Sequence, residues 1–354
     1  MGNGTTKSLY SNPTTADIAR VAGVSLATVD RVLNGRSGVR SATIERVNKA
    51  IEELGYIRDT AAASLARRHF YRFLFILPET ENEFVLALED ALSSQFLNLR
   101  HQRVGISKKT TPPFDSNALV GQIDQVDPKE TDGIAVFGPE TPGVRDAVRR
   151  AKDRGLSVVA LVADLPNGPR DHYVGIDNFA AGRTAATLMG RFVRGEGKIL
   201  VLTGSRIARD HLERRSGFDM IMERNFPGLE VIATIEGQDD PDLVRALLPA
   251  IFESHDDILG IYSSAAGNLG LVTFLEDTGR SKDLTVIAHE LTPLSRSALS
   301  DGTFDAIISQ DTGHLIRSAV RLLKAEVDKT PVDKTQERIR IDIYLRENMP
   351  AATE

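Results

Sequence analysis

The chain has 354 residues, 41% of them hydrophobic, and a formal net charge of −6 at pH 7. It contains no cysteine, which excludes disulfide bonds, thiolate metal sites and thiol nucleophiles. No run of about 18 apolar residues occurs, so we expect no membrane helix. The amino-terminal segment lacks the apolar stretch of a secretory signal peptide, so we expect a cytoplasmic protein.

Residues 14–57 predict three short helices joined by tight turns. Thr14 and Asp17 form a capping signal ahead of the first helix, over 15–22. Gly23 ends this helix, because glycine adopts the left-handed conformation without a steric cost.

Ser25 caps a second helix over 26–34, and Ser41 starts a third helix that ends at Gly55. Two short helices joined by a tight turn that contains glycine are typical of a helix-turn-helix unit. Such a unit has little core of its own, so its exposed face is expected to have a function.

The charge of this front segment differs from that of the remainder. Residues 1–72 carry eleven Lys and Arg against six Asp and Glu, a net +5, so residues 73–354 carry −11. This asymmetry indicates a polyanionic partner for the front segment alone. The alternative is a generic helical cap with a solvated basic face.

The segment DIARVAGVSLATVDRVLNG, followed by VRSATIERVNKAIEELGYI, resembles the headpiece of the lactose-repressor (LacI/GalR) family. The resemblance covers 15–66 closely, and the layout of the remaining chain is similar. It implies a DNA-binding transcription regulator, expected to be a repressor, that a small ligand controls. It also implies DNA contacts by position: Ser25, Leu26, Ala27, Thr28, Arg31, Asn34 and Leu65.

The chemistry of these residues fits different kinds of DNA contact. The resemblance places Arg31, Leu26 and Ala27 at base edges, and the guanidinium of Arg31 can pair with guanine N7 and O6. Leu26 and Ala27 can only pack against thymine methyl groups or exclude other bases by shape. The resemblance places Ser25, Thr28 and Asn34 at positions that contact the DNA backbone in the family.

Residues 58–72 predict a hinge helix or linker between two domains. In the family, a leucine at the position of Leu65 inserts into the minor groove and bends the duplex. The proline and asparagine that usually precede this hinge are replaced by Arg58 and Asp59. A plain linker is the alternative.

From residue 73 the pattern predicts an α/β effector domain over 73–354. Short apolar runs occur at 73–77, 133–137, 157–162, 198–203, 231–235, 258–263, 284–289 and 306–309. Amphipathic helices are predicted between them, at 84–98, 143–154, 179–194, 211–225, 241–254, 267–279 and 311–327. Buried strands that alternate with helices indicate parallel sheets, and the length indicates two lobes.

The resemblance likewise implies a two-lobed, type I periplasmic-binding-protein-like domain. We expect the first lobe over about 73–176 and 306–330, and the second over about 177–305 and 331–350. The ligand is expected in the cleft, beyond the carboxyl ends of the strands. The candidate ligand-binding residues are Asn82, Phe84, Glu140, Asp164, Asp177, Arg214, Ser264, Asn268, Glu290 and Gln310.

Some of these candidates have a structural alternative: Phe84 could be helix core, and Asp177 could only cap the helix over 179–194. Ser264-Ala265 replaces the Asn-Asp common in the family, so the usual hexose contacts are not kept. Acids, an arginine and an aromatic still suit a polyhydroxylated neutral ligand, which is a sugar, a sugar alcohol or a derivative. A purine is the second candidate, because a purine site would be expected to contain more aromatic side chains that stack on the ring.

The sequence predicts neither an enzyme nor a cofactor or metal site, since no nucleophile elbow or metal-binding spacing occurs. A free solute-binding protein without a DNA function is the alternative to a regulator. Two headpieces on two half-sites require a homodimer and a pseudo-palindromic operator. The tail 338–354 has strand-like alternation and no leucine heptads, which favours a dimer over a tetramer.

Overall fold

The computed structural model describes two units, one spanning Met1–Arg68 and the other His69–Glu354. The described residues are 13–33, 37–56, 69–232, 234–265 and 267–351, without the side chains of Phe96 and Leu97.

The first unit contains three helices, α1 (Thr15–Ala22), α2 (Leu26–Leu33) and α3 (Ser41–Leu54). Thr14 and Asp17 form a complete capping box at the start of α1, and Gly23 ends α1 with φ +64°. Hydrogen bonds to Asp17 from the Thr14 backbone, the Arg20 side chain and the Thr14 hydroxyl hold the pKa of its carboxyl well below the ordinary value. The predicted helices are confirmed in this unit.

A small apolar core holds the three helices together. Ile18 of α1, Val29 of α2 and Val47 of α3 are fully buried, and Ala22 and Ala50 fill the space between them. These positions recur at helical spacing in the sequence, which is why each helix buries one face. The opposite face of α2 remains in solvent.

The second unit begins with a lobe built on a five-stranded parallel sheet of order β2-β1-β3-β4-β5. In chain order this lobe contains β1 (Tyr71–Pro78), α4 (Glu83–Ser94), α5 (Phe96–His101), β2 (Val104–Thr111), α6 (Ser116–Asp124), β3 (Gly133–Val136), α7 (Pro142–Asp153), β4 (Ser157–Leu161) and β5 (His172–Val174).

A second lobe is built on a seven-stranded sheet of order β12-β11-β10-β9-β6-β7, with β8 also paired to β6. It contains α8 (Asn178–Phe192), β6 (Gly197–Thr203), α9 (Arg209–Asn225), β7 (Leu229–Val231), β8 (Ile235–Glu236), α10 (Pro241–Ser254), β9 (Ile258–Ser263), α11 (Asn268–Thr278), β10 (Thr285–His289), α12 (Pro293–Asp301), β11 (Ala306–Ser309) and β12 (Asp342–Tyr344). Only β12 among the described strands runs antiparallel, against β11.

Helices cover both faces of each sheet. In β1, Phe73 and Phe75 face α4 and a late helix, α13 (Thr312–Asp328), whereas Leu74 and Ile76 face α6 and α7. Because successive side chains of a strand point to opposite faces and both faces are covered, the central stretch of such a strand, here 73–77, is apolar. This explains why the sequence shows continuous apolar runs in place of alternation.

The structure corrects the predicted lobe boundaries at two points. The strand at 306–309 was assigned to the first lobe, but it pairs with β10 in the second sheet, and the chain returns to the first lobe as α13. Tyr71 and Arg72, which the sequence placed in the linker, are the first residues of β1. Residues 57–68, with the predicted hinge, lie outside the described residues.

Four elements escaped sequence reasoning, and one was misread. The polar run VGISKKTT forms the edge strand β2, and β5, α6 and α12 are short. The apolar run at 231–235 is not one strand but contributes to two separate ones, β7 and β8. No helix in the described ranges is long and apolar enough to cross a membrane.

Candidate functional site

A cavity of about 550 Å³ lies between the two lobes of the second unit. Its walls come from loops and helix starts at the carboxyl ends of strands, as expected for parallel α/β sheets. Phe84, Phe114 and Phe137 of the first lobe provide apolar surface, and most of the polar groups come from the second lobe. This size and this mixed lining suit one small organic molecule.

Arg214 is the buried cation of the cavity, with 3% of its surface exposed. Its Nε donates to Asn178 Oδ1 at 2.9 Å, and its Nη1 donates to the Ser264 carbonyl oxygen at 2.9 Å. Its Nη2 lies 3.6 Å from Glu290 Oε1. All three guanidinium nitrogens therefore have protein partners, so Arg214 both lines the cavity and organises its floor.

Glu290 is held in place by Gln310 as well as by Arg214. The Gln310 amide donates to Glu290 Oε1 at 2.9 Å, and the Gln310 backbone N–H donates to Oε2 at 3.3 Å. Burial raises the pKa of Glu290, although Arg214 and the bonds from Gln310 oppose the shift. This carboxylate is therefore already largely satisfied within the protein.

The Tyr262 hydroxyl lies 2.8 Å from His289 Nε2, and both residues are fully buried. Burial lowers the pKa of His289 well below its ordinary value, so the ring is neutral at physiological pH. Next to it, Asn268 begins α11, accepts from the Ser263 hydroxyl at 2.7 Å and donates to the His289 carbonyl oxygen at 3.4 Å.

Four non-glycine residues of the cavity lining have left-handed backbone conformations. They are Phe114 (φ +60°), Val162 (φ +65°), Asp239 (φ +59°) and Glu290 (φ +66°). Each such conformation costs on the order of 1 kcal/mol or more for a residue with a Cβ atom, and strain of this kind clusters at binding sites. The concentration of strain here supports a role for the cavity in ligand binding.

Several side chains connect the two lobes across the cleft. The Asn82 amide donates to Asp239 Oδ2 at 3.3 Å, and Arg209 Nη1 donates to Glu140 Oε2 at 3.1 Å. The ring of Phe114 lies edge-on to that of His211, 6.3 Å between centroids. At the far side, Glu83 accepts from the Leu294 backbone N–H at 3.3 Å.

Five predicted ligand residues line the cavity: Asn82, Phe84, Arg214, Asn268 and Glu290. The other five do not appear in its described lining, and each has a structural role. Glu140 binds Arg145 and Arg209, Asp164 pairs with Arg170, Asp177 caps α8, Ser264 donates to the Leu202 carbonyl oxygen, and Gln310 holds Glu290.

The lining residues that sequence reasoning missed include Phe114, Asp210, His211 and Asp239. Phe114 follows β2, which was not predicted, and Asp239 follows β8, which was merged with its neighbour. Asp210 and His211 lie in the first turn of α9, one turn before Arg214. Helical spacing from Arg214 could have placed Asp210 on the same face.

On the first unit, the predicted DNA-binding residues form the exposed side of α2. Ser25, Leu26, Ala27 and Arg31 are exposed, and Leu26 keeps 55% of its surface in solvent. The Ser25 hydroxyl accepts from the Thr28 backbone N–H at 3.2 Å, so Ser25 caps the helix that presents these side chains. Asn34 and Leu65 lie outside the described residues.

Comparison with known proteins identifies both parts of the chain. Residues 14–59 match the family model "Bacterial regulatory proteins, lacI family", and residues 73–331 match the model "Periplasmic binding protein domain". The chain belongs to the lacI family of bacterial regulatory proteins. The predicted family, the fold class and the role as a DNA-binding transcription regulator are thereby confirmed.

Relatives of this lacI-family regulator are transcriptional repressors. One is the HTH-type transcriptional repressor PurR of Vibrio atlanticus (strain LGP32), 26% identical over 287 residues, which cover 78% of this chain and 81% of the relative. The sucrose operon repressor of Lactococcus lactis subsp. lactis is 27% identical over 210 residues, which cover 59% of this chain and 62% of the relative. The alignment thus spans under two thirds of the second relative.

Solved structures share the fold of the regulator's second unit. A glucose-galactose binding protein from Geobacillus stearothermophilus is similar with a TM-score of 0.72 and 20% identity, over 80% of this chain and 99% of that one. A solute binding protein from Burkholderia graminis, solved with D-arabinose, also gives 0.72, with 22% identity over 80% of this chain and 98% of that one. These similarities show a two-lobed binding-protein fold.

Proposed function

We propose that this lacI-family regulator is a cytoplasmic repressor that binds a pseudo-palindromic operator as a homodimer. A small polyhydroxylated molecule, which is a sugar, a sugar alcohol or a derivative, controls its affinity for DNA from the interlobe cavity. The proposal is carried by the presence in one chain of a helix with exposed side chains at the predicted base-reading positions and an interlobe cavity of ligand size.

The nature of the effector is supported by the cavity and by the relatives. Carboxylates and amides beside apolar aromatic rings suit the hydroxyl groups and the apolar faces of a polyol. The relatives include a sucrose operon repressor, and similar structures include sugar-binding proteins. The residues of the cavity are sufficient for ligand-controlled regulation, which needs no catalytic step.

DNA binding is tested by selecting duplexes from fragmented genomic DNA with the purified full-length protein. On the selected operator, Arg31→Ala should weaken binding by about 1–3 kcal/mol, or roughly fivefold to 150-fold, since it removes a base contact. Lys49→Ala is the control, because Lys49 is exposed on α3, 3.9 Å from Glu53. A protein that retains no duplex, with or without metabolites, would refute the proposal.

The effector is tested by a thermal-shift screen of sugars, polyols and their derivatives on the same protein. A cognate ligand at roughly 100 times its dissociation constant adds about 2.7 kcal/mol of stability. Compounds that stabilise the protein must also change its operator affinity, since a ligand without that effect does not regulate.

A further inference from the structure

We propose that one end of the cavity, formed by Asp210, His211 and Asp239, binds a protonated amino group. The effector would then be an amino sugar or another polyhydroxylated amine, in preference to a neutral or anionic sugar. This inference rests on the proposed function of the cavity and narrows the class of its ligand.

Asp210 is a buried carboxylate without a strong partner. It lies in the first turn of α9, keeps 4% of its surface exposed and lines the cavity. From the described residues its carboxylate accepts no hydrogen bond, and its one ion contact is His211 Nε2, 3.6 Å from Oδ2. A buried carboxylate normally has hydrogen bonds or a cation, so the missing partner is expected to come from a ligand.

His211 lies beside Asp210 and can balance at most one negative charge. Its Nδ1 lies 3.1 Å from the Ser205 backbone N–H and 3.2 Å from the Ser205 carbonyl oxygen, so this nitrogen can accept or donate there. Its Nε2 faces Asp210 Oδ2 at 3.6 Å. One imidazole ring cannot balance two carboxylates at this end of the cavity.

Asp239 adds a second carboxylate next to the same ring. Its Oδ2 accepts from the Asn82 amide at 3.3 Å, whereas its buried Oδ1 has no hydrogen-bond partner in the described chain. Burial raises the pKa of Asp239 and repulsion from Asp210 acts in the same direction, whereas attraction to His211 and the hydrogen bond from Asn82 oppose the shift. The two carboxylates therefore destabilise each other unless a cation or a proton lies near them.

No lysine or arginine of the described lining supplies that cation. Arg214 is its one Lys or Arg residue, and its nitrogens already contact Asn178, Ser264 and Glu290. Arg214 and Glu290 thus balance each other at the floor. Asp210 and Asp239 have only the His211 ring beside them, which leaves at least one negative charge for a ligand to balance.

The chemistry of the ligand follows from this charge. A hydroxyl group can donate to a carboxylate but leaves its charge in place, whereas an ammonium group donates and also neutralises it. Phosphorylated and acidic sugars would add a like charge to a desolvated site and should be rejected. The aromatic rings of the lining accommodate the carbon skeleton of a sugar or polyol.

Matched compounds test the inference on the full-length protein by calorimetry at neutral pH. The probes are D-glucosamine, D-galactosamine and 1-amino-1-deoxysorbitol, each compared with its neutral parent and, for the two sugars, with the N-acetyl derivative. D-gluconate represents the anions. We expect at least one amine to bind about tenfold or more tightly than its parent, because charge-assisted hydrogen bonds are the stronger kind. The N-acetyl forms and gluconate should bind weakly.

Variants tie the preference to the proposed residues. Asp210→Asn should weaken amine binding about tenfold and raise the urea midpoint of the unliganded protein, because it removes an unbalanced buried charge. Asp219→Asn is the control on the same helix, since Asp219 pairs with Arg215 at 2.7 Å outside the cavity lining. It should leave amine affinity unchanged and should not raise the midpoint.

Two results would overturn the inference. Neutral parents that bind as tightly as the amines would leave the proposed sugar-responsive regulator intact but remove the ammonium site. A panel in which no amine binds, together with an unchanged or lower urea midpoint for Asp210→Asn, would also reject the ammonium site. Neither result bears on DNA binding, which the operator selection decides separately.

Discussion

Arg214 connects three parts of the second lobe through one side chain. Its guanidinium links the start of α8 at Asn178, the end of β9 at Ser264 and the end of β10 at Glu290. Arginine suits this position because its planar group keeps its charge and donates in several fixed directions. The pair with Glu290 is buried, so removing one partner leaves an uncompensated charge.

We predict that Arg214→Gln lowers the free energy of unfolding of the protein at neutral pH by about 3 kcal/mol. The reason is that Glu290 would remain buried and charged without its cation. Urea denaturation measures the loss. The control is Arg215→Gln, where Arg215 pairs only with groups near the surface, including Asp219 at 2.7 Å, and should cost less than about 1 kcal/mol.

The loss in Arg214→Gln should shrink as pH falls. Burial already raises the folded-state pKa of Glu290, and loss of Arg214 raises it further. The penalty for such a carboxylate is full above its folded-state pKa, shrinks as pH falls below that value, and is gone only below the lower, unfolded-state pKa. A loss that stays constant as pH falls toward 5, or a double variant with Glu290→Gln that recovers no stability, would contradict this account.

At the scale of helices, α8 and α9 approach each other through glycine. A Cβ atom added to Gly182 of α8 would clash with the Arg214 carbonyl oxygen, and one added to Gly217 of α9 would clash with the Phe179 carbonyl oxygen. Both obstacles are backbone atoms, which cannot move without shifting a helix. This close crossing fixes the position of Arg214 and Asp210 relative to the cavity.

We predict that Gly182→Ala destabilises the second unit by about 3 kcal/mol or more, at the upper end of overpacking effects. It should also weaken effector binding, since α9 would be displaced. Gly121→Ala is the control, because Gly121 lies in α6 with open space around it. There alanine should stabilise the protein by about 0.5–1 kcal/mol. Equal effects of the two substitutions on urea midpoints would refute the close crossing.

Element prediction succeeded where burial makes the sequence apolar. Continuous runs such as 73–77 and 258–263 mark central strands, and capping residues mark helix starts. The edge strand β2 failed, because one of its sides is exposed and its residues are polar. Because β2 was not predicted, Phe114 was not recognised as a cavity residue. Because β7 and β8 were predicted as one strand, Asp239 was not recognised either. These two errors in the site thus followed from errors in the elements, whereas Asp210 and His211 were missed in a helix that was predicted.

For the molecule as a whole, the sequence could not show which polar residues meet across the cleft. Glu140 was predicted to bind ligand, but its carboxylate joins the two lobes: Oε1 accepts from Arg145 of the same lobe at 2.9 Å, and Oε2 accepts from Arg209 of the other. Such partners depend on tertiary distances that no local pattern records. The same applies to the contact between Asn82 and Asp239.

We predict that Arg209→Gln weakens effector binding about fivefold, because one interlobe hydrogen bond to a charged group stabilises the closed cleft by about 1 kcal/mol. Arg145→Gln is the matched control: it removes the partner of Glu140 within one lobe and should leave effector affinity nearly unchanged. Calorimetry with the tightest compound from the thermal-shift screen measures both affinities.

If closure of the cleft controls DNA binding, effector binding and operator binding are coupled. The effector must then change operator affinity by the same factor as the operator changes effector affinity, both in Arg209→Gln and in the unmodified protein. Equal effects of Arg209→Gln and Arg145→Gln would show that closure does not depend on this bond, and unequal factors would show that the measurements were not at equilibrium.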